Sequence, residues 1–146
     1  MAQYDFFIAG RWRNNVEIKK VLGVVRDNGK TAYCFIENLY ENRKVEFSSS
    51  DNIEGSMQKL EALPMDDPLI TEIFETDMTG EHAADNFLLV LPAGISGHIE
   101  AGVAYGLGKK CYAIGVPEKT ESLYKIFDQI FPDIKALQAW LNTSTK

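Results

Sequence analysis

Asp85-Asn86-Phe87-Leu88-Leu89-Val90-Leu91-Pro92 holds the most apolar run of the chain, Phe87–Leu91, bounded by a polar pair before it and a proline after it. A strand with one face in water alternates apolar and polar side chains. This one does not alternate, so it is covered on both faces, as in a parallel sheet between two layers of helices. Downstream, five glycines (Gly94, Gly97, Gly102, Gly106 and Gly108) punctuate a loop and a helix from about Ser96 to Leu107, and Cys111–Gly115 reads as the next strand. Upstream, Tyr4–Ala9 is aromatic and β-branched and stops at Gly10, which marks a buried first strand. Ile18, Val21, Leu22 and Val25 repeat at helical spacing until Asn28-Gly29 ends the pattern, and Thr31–Ile36 reads as the second strand.

Between these strands lies a polar stretch from Asn38 to Asn52, centred on Ser48-Ser49-Ser50 and expected to cover one end of the sheet. Gly55–Leu63 reads as a short helix. Asp66-Asp67 between Pro64 and Pro68 is a cap for a longer helix with Leu69, Ile70, Ile73 and Phe74, running towards Ala84. Ser122–Phe127 is compatible with a fifth strand or a helix. Ile134, Leu137, Ala139, Trp140 and Leu141 make a C-terminal helix. Strands separated by helices imply right-handed crossovers and an open α/β sheet, here a single domain over residues 1–146. The expected strand order is 2-1-3-4-5, and ligands on such sheets bind beyond the carboxyl ends of the strands. The loops Gly10–Asn14 and Pro92–Gly97 therefore carry the functional expectation.

Composition narrows the classes. At 146 residues with 45% apolar and 25% charged side chains, the chain has the balance of a soluble globular domain rather than a disordered one. Fifteen basic against twenty-one acidic residues leave a net charge of −6, which disfavours binding to a nucleic acid polymer but not to a small anion. No apolar run reaches membrane-spanning length, and MAQYDFFIAG lacks a basic segment followed by an apolar one, so the expected location is the cytoplasm. Cys34 and Cys111 both sit in apolar runs and are expected to be packed free thiols, not a metal site or a disulfide.

In the first loop, Gly10 permits close backbone approach, Arg11 and Arg13 offer forked donors, and Trp12 offers a flat apolar face. On an extended segment the two arginines share one side, with Trp12 opposite. Such a loop suits a planar or phosphorylated ligand, or else a solvated basic turn whose Trp packs on a neighbour. In the second, Ser96 is a candidate N-cap and Glu100 is expected in the first helical turn, where the helix dipole favours its ionised form. An ionised carboxylate beside a sugar can attack an anomeric carbon. His98 reads as an exposed first-turn residue. Asp77 lies near the end of the preceding helix, where the dipole disfavours a carboxylate. Glu72, Glu75 and Glu81 nearby allow the plainer reading of a solvated acidic face.

DNFLLVLPAGISGHIEAGVAYGLGKKCYAIG resembles the core of the nucleoside 2-deoxyribosyltransferase family, with Gly97–Lys109 the most specific part. YDFFIAGRW looks like that family's first strand and sugar-side loop, and Glu75-Thr76-Asp77 falls at its Asn-x-Asp-type segment. The resemblance implies a flavodoxin-like α/β fold and a retaining double displacement with no cofactor and no metal. In it Glu100 matches the nucleophile that forms a glycosyl ester, and Asp77 matches the aspartate that holds and protonates the base. Gly10 and Trp12 correspond to the loop that closes over the nucleoside. Ser96 and Gly97 sit, beside Pro92, where nucleotide-hydrolysing relatives bind ligand oxygens.

The family's members complete their pockets with residues of a neighbouring subunit, so a homodimer or larger homo-oligomer is implied. There are departures. The family's strand-one tyrosine aligns with Phe6, and its second acid before the nucleophile is replaced by Gly94, Ile95 and Ser96. The sequence thus points to an enzyme that cleaves or transfers the N-glycosidic bond of 2′-deoxynucleosides. A 2′-deoxynucleoside 5′-monophosphate N-hydrolase using Arg11 and Arg13 and a non-catalytic nucleotide-binding module are the alternatives. The Gly10 loop has no Ser or Thr cluster for an FMN phosphate, and Val90-Leu91-Pro92 offers no phosphoacceptor aspartate.

Overall fold

A computed structural model describes residues 3–47 and 53–144, so Ser48-Ser49-Ser50 and Asp51-Asn52 of the polar stretch lie outside the described residues. The strands are β1 (Tyr4–Ala9), β2 (Ala32–Cys34), β3 (Ala84–Val90), β4 (Lys110–Ile114) and β5 (Gln129–Phe131). They form one parallel sheet in the order β2-β1-β3-β4-β5, with Phe7 opposite Tyr33 on one side and Phe87 on the other. The helices are α1 (Asn15–Asp27), α2 (Ile53–Glu61), α3 (Pro68–His82), α4 (Ile95–Gly106) and α5 (Ile134–Ser144). This is the open flavodoxin-like α/β architecture expected from the sequence.

Alternation along the strands splits the core. Phe6, Ile8, Leu88 and Val90 point into one layer with Ile18, Val21, Leu22 and Val25 of α1 and Leu137 and Leu141 of α5. Phe7, Ala9, Phe87 and Leu89 point into the other, where Ala101 and Ala104 of α4 pack and α3 closes the flank. Both faces of β3 are therefore dry, which is why its sequence does not alternate. Two glycines permit the close approaches. A Cβ at Gly97 would meet Leu89 Cδ1 at 2.8 Å, so α4 can lie directly on β3. Gly29 ends α1 with φ +79°, a conformation glycine adopts without a Cβ clash.

Several boundaries differ from expectation for local reasons. Asp85 and Asn86 fall inside β3, where Asn86 pairs with Phe6 and its side-chain amide donates to the Asp5 carbonyl. The second strand stops at Cys34 rather than Ile36. It is an edge strand with one partner, and Phe35 leaves it in a 3-10 turn (Phe35–Glu37) to pack edge-on against Trp12. Ser122–Ile126 is a 3-10 turn, and the fifth strand comes later, at Gln129–Phe131. Asp67 does cap α3, accepting from the Leu69 amide. Residues 38–47 form a small third core with α2 and α3, in which Tyr40, Val45 and Phe47 pack with Met57 and Leu69. Cys34 and Cys111 are buried free thiols.

Candidate active site

Asp77 projects from α3 into the layer above Phe7 and is held by two donors. The Tyr33 hydroxyl donates to its Oδ1 at 2.8 Å, and Asn38 Nδ2 donates to the same oxygen at 3.3 Å. Asn38 also donates to the Tyr33 and Tyr40 hydroxyl oxygens, so one amide ties two phenols to one carboxylate. Tyr33 is itself fixed by stacking on Phe7 at 5.1 Å. Burial pushes the Asp77 carboxyl up to about 6, and the two hydrogen bonds oppose that rise without cancelling it.

Glu100 faces this group from α4. The helix begins at Ile95 with Gly94 as its cap residue, so Glu100 lies in the second turn and not the first. The position corrects the expected dipole effect. Burial dominates, the charges of Asp77 and Glu81 add to it, and the Glu100 carboxyl is pushed up to about 9. Ser96 is not the N-cap and its side chain is exposed, while Gly97 is on the buried face of α4, against Leu89 of β3. The start of α4 has no side-chain cap, which leaves its first amides open to a ligand.

Residues two apart on a helix point about 200° from each other, so His98 lies on the flank of α4 opposite Glu100. It is not an exposed first-turn residue. Its ring stacks on Tyr124, Nε2 meets the Tyr124 hydroxyl at 2.8 Å and Nδ1 meets the Gly94 carbonyl at 2.7 Å. A cavity of about 710 Å³ opens on that flank, lined among others by Arg11, Pro92, Gly94, His98, Lys119 and Tyr124. Asp77 and Glu100 thus lie on one side of α4, and Arg11 and Pro92 line a cavity on the other.

The first loop also divides. Arg11 is extended, but Trp12–Asn14 is a 3-10 turn, so the strand-like alternation expected there does not apply. Arg13 turns to α2, where its guanidinium holds Glu54 at 2.7 Å and Glu61 at 3.2 Å. Trp12 stacks on Phe47 at 5.4 Å and lines a smaller pocket with Asn38 and Tyr40. Gly10 lies under α1, where a Cβ would meet Ile18 at 2.7 Å.

Phe6, aligned with the resembling family's tyrosine, faces α1 and α5 and packs on Trp140. It is on the wrong face to touch Glu100. The phenol in the carboxyl layer is Tyr33 of β2 instead, and sequence reading missed it along with Asn38 and Tyr40. Their only sequence signal was a tyrosine in an apolar run followed by polar residues. Glu81, read as part of a solvated face, is fully buried, and neither of its oxygens has a hydrogen-bond partner. Among the described residues no group of three or more His, Cys, Asp or Glu is placed to hold a metal ion. No helix among them is long and apolar enough to cross a membrane.

The solved structure of a 2-deoxyribosyltransferase from the psychrotolerant bacterium Bacillus psychrosaccharolyticus matches over 93% of this chain and 94% of that one, with a TM-score of 0.62. The two share a fold. At 20% identity the likeness carries the fold and not the chemistry. It agrees with the fold that the family resemblance implies. No family model matches the chain, and no curated protein does.

Proposed function

We propose that the chain cleaves or transfers the N-glycosidic bond of 2′-deoxynucleosides, with Glu100 as nucleophile and Asp77 as the acid that protonates the departing base. The support for this is that α3 packs on α4 and brings Asp77 and Glu100 within each other's electrostatic reach, with Asp77 held by Tyr33 and Asn38. The Glu100 carboxylate attacks C1′ as the C1′–N bond breaks, the proton of Asp77 goes to the base, and a glycosyl ester remains. Water or a second base then opens the ester, and Asp77 takes back the proton that the acceptor gives up.

Burial raises both carboxyls, and the Asp77 charge raises Glu100 further, which favours a proton on Glu100. Catalysis needs the opposite arrangement. Positive charge developing at C1′ favours the ionised Glu100 and supplies that reversal. Chromatographic detection of free base across deoxy- and ribonucleosides, with and without a 5′-phosphate, tests the assignment. Base released from deoxynucleosides supports it. Binding of the same compounds without base release would leave a non-catalytic nucleotide-binding module.

The monophosphate alternative is favoured by one feature, Arg11 lining the cavity beside the uncapped start of α4. Arg13, engaged with Glu54 and Glu61, drops out of that reading. The same proposal includes assembly into a homodimer or larger homo-oligomer in the cytoplasm. Ile95, Ile99 and Tyr105 of α4 are exposed apolar side chains, which supports the assembly part. Light scattering of the purified chain reads that out, and a monomer at micromolar concentration would remove it.

A further inference from the structure

His98 stands in the wall of the large cavity, on the flank of α4 away from Glu100, and its ring is fixed at both nitrogens. The Gly94 carbonyl accepts from the His98 amide at 3.3 Å and lies 2.7 Å from Nδ1. A carbonyl oxygen can only accept, so Nδ1 carries the proton of the neutral ring. Nε2 is then bare, and the Tyr124 hydroxyl 2.8 Å away must donate to it. Stacking on His98 at 5.7 Å and an edge contact with Phe127 at 5.6 Å hold the phenol ring in place. With its hydrogen committed to His98, the Tyr124 oxygen has only acceptor capacity left for anything in the cavity.

The rest of the lining gives no preference for a charged ligand. Arg11 and Lys119 are offset by Glu118 and Glu121, and among the described residues these four are the charged side chains lining the cavity. Glu100, with Asp77 across from it, belongs to the other flank of α4. Leu91, Pro92, Ala93 and Val116 contribute apolar surface, and a volume of about 710 Å³ suits a small molecule. We propose that this cavity is a binding site for an uncharged small molecule presenting an N–H or hydroxyl donor, with Tyr124 as the accepting anchor and His98 as the residue that sets its polarity. When His98 gains a second proton, Nε2–H donates to the Tyr124 oxygen instead, and the hydroxyl turns to donate outward. The preference then inverts towards groups that accept. The site is separate from the carboxyl layer, so it goes beyond the N-glycosidic reading and does not depend on it.

Indole and benzofuran are matched probes of nearly the same shape: indole has an N–H that only donates, and benzofuran has in its place an oxygen that only accepts. Shifts of the His98 and Tyr124 ring signals in NMR titrations report their binding at this cavity. At about pH 8, the alkaline end of the range in which histidines change charge, the preference for indole should be about threefold or more greater in wild type than in Tyr124→Phe. The variant keeps the stack on His98 and loses only the hydroxyl. In wild type alone the preference for indole should fall as pH is lowered to about 5, and in Tyr124→Phe it should not change. Equal preferences in the two proteins, a wild-type preference that ignores pH, or no binding of either probe would each overturn the proposal. Nitrogen-15 NMR of the His98 ring reads the tautomer with no ligand present, and Nδ1 should carry the proton of the neutral ring. The opposite tautomer overturns the proposal even if the variant does not fold. Base release from deoxynucleosides, measured separately, decides the N-glycosidic reading and leaves this site untouched.

Discussion

Gly80 and Tyr33 touch so closely that no side chain fits between them: a Cβ at position 80 would lie 2.7 Å from the Tyr33 ring. The contact is what lets the phenol reach back along α3 to Asp77, three residues earlier, at 2.8 Å. A single missing methyl group thus links helix packing to the electrostatics of the candidate acid.

Gly80→Ala should therefore do two things. Overpacking against a stacked ring costs about 1–3 kcal/mol, readable as a lower denaturant midpoint. The displaced hydroxyl also stops donating to Asp77, so the Asp77 carboxyl should rise further. Tyr33→Phe separates the effects, raising Asp77 while leaving the packing intact. An Asp77 titration unchanged in both variants would show that the phenol does not tune it.

The layered sheet was legible because its signals are local. An unbroken run such as Phe87–Leu91, or Ile18 to Val25 at helical spacing, reports its own burial. The carboxyl layer was legible only through Glu100 and Asp77, which match a family pattern. Tyr33, Asn38 and Glu81 owe their roles to tertiary contacts across β2, α3 and α4, and nothing in their neighbouring residues encodes those contacts. Glu81 shows the limit most plainly. Acidic neighbours in sequence made it look solvated, yet it is fully buried.

Glu100→Ala should abolish base release and leave the fold intact. Position 100 is half-buried on α4 and caps nothing, so removing its side chain leaves helix α4 its own backbone bonds. Loss of a nucleophile costs several kcal/mol of barrier at about tenfold in rate per 1.36 kcal/mol. Activity near that of wild type in a variant with an unchanged circular dichroism spectrum would refute the assignment.

Asp77→Asn keeps the shape that Tyr33 and Asn38 surround but removes the transferable proton. Substrates whose bases leave poorly should slow most, and those with activated leaving groups should be hurt less. Equal loss on both kinds would assign Asp77 to binding alone.

Arg11 and Arg13 now separate. If a 5′-phosphate binds at the start of α4, Arg11→Ala should selectively lose the monophosphate, and added salt should weaken what remains. Arg13→Ala should not discriminate between nucleoside and monophosphate, because its guanidinium serves Glu54 and Glu61. Equal handling of both substrates by wild type and both variants would remove the phosphate reading and leave the nucleoside one.

Stability should depend on pH with a sign set by two groups of carboxyls. Hydrogen bonds from Arg26, Arg13 and Lys44 hold Glu37, Glu54 and Asp67 below their ordinary values. Those three stabilise the fold above the unfolded carboxylate range, and that contribution is lost as pH falls through their lowered values. Asp77, Glu81 and Glu100 are raised, to about 6, about 7 and about 9. The native state holds their protons more tightly than the unfolded chain, so their contribution is complete below the unfolded range and is lost as pH rises through the folded values. Between about pH 4.5 and pH 7 only the second group is still changing, so stability should fall with rising pH there. Glu81 is the cleanest part to isolate because it is fully buried. Its rise from 4.5 to about 7 corresponds to up to roughly 3 kcal/mol at 1.36 kcal/mol per unit. Denaturant unfolding of wild type and Glu81→Gln at several pH values across that window should show the variant with the flatter profile. Parallel profiles would mean that the Glu81 carboxyl is not raised on folding and is already ionised in the native state at the lower end of the window.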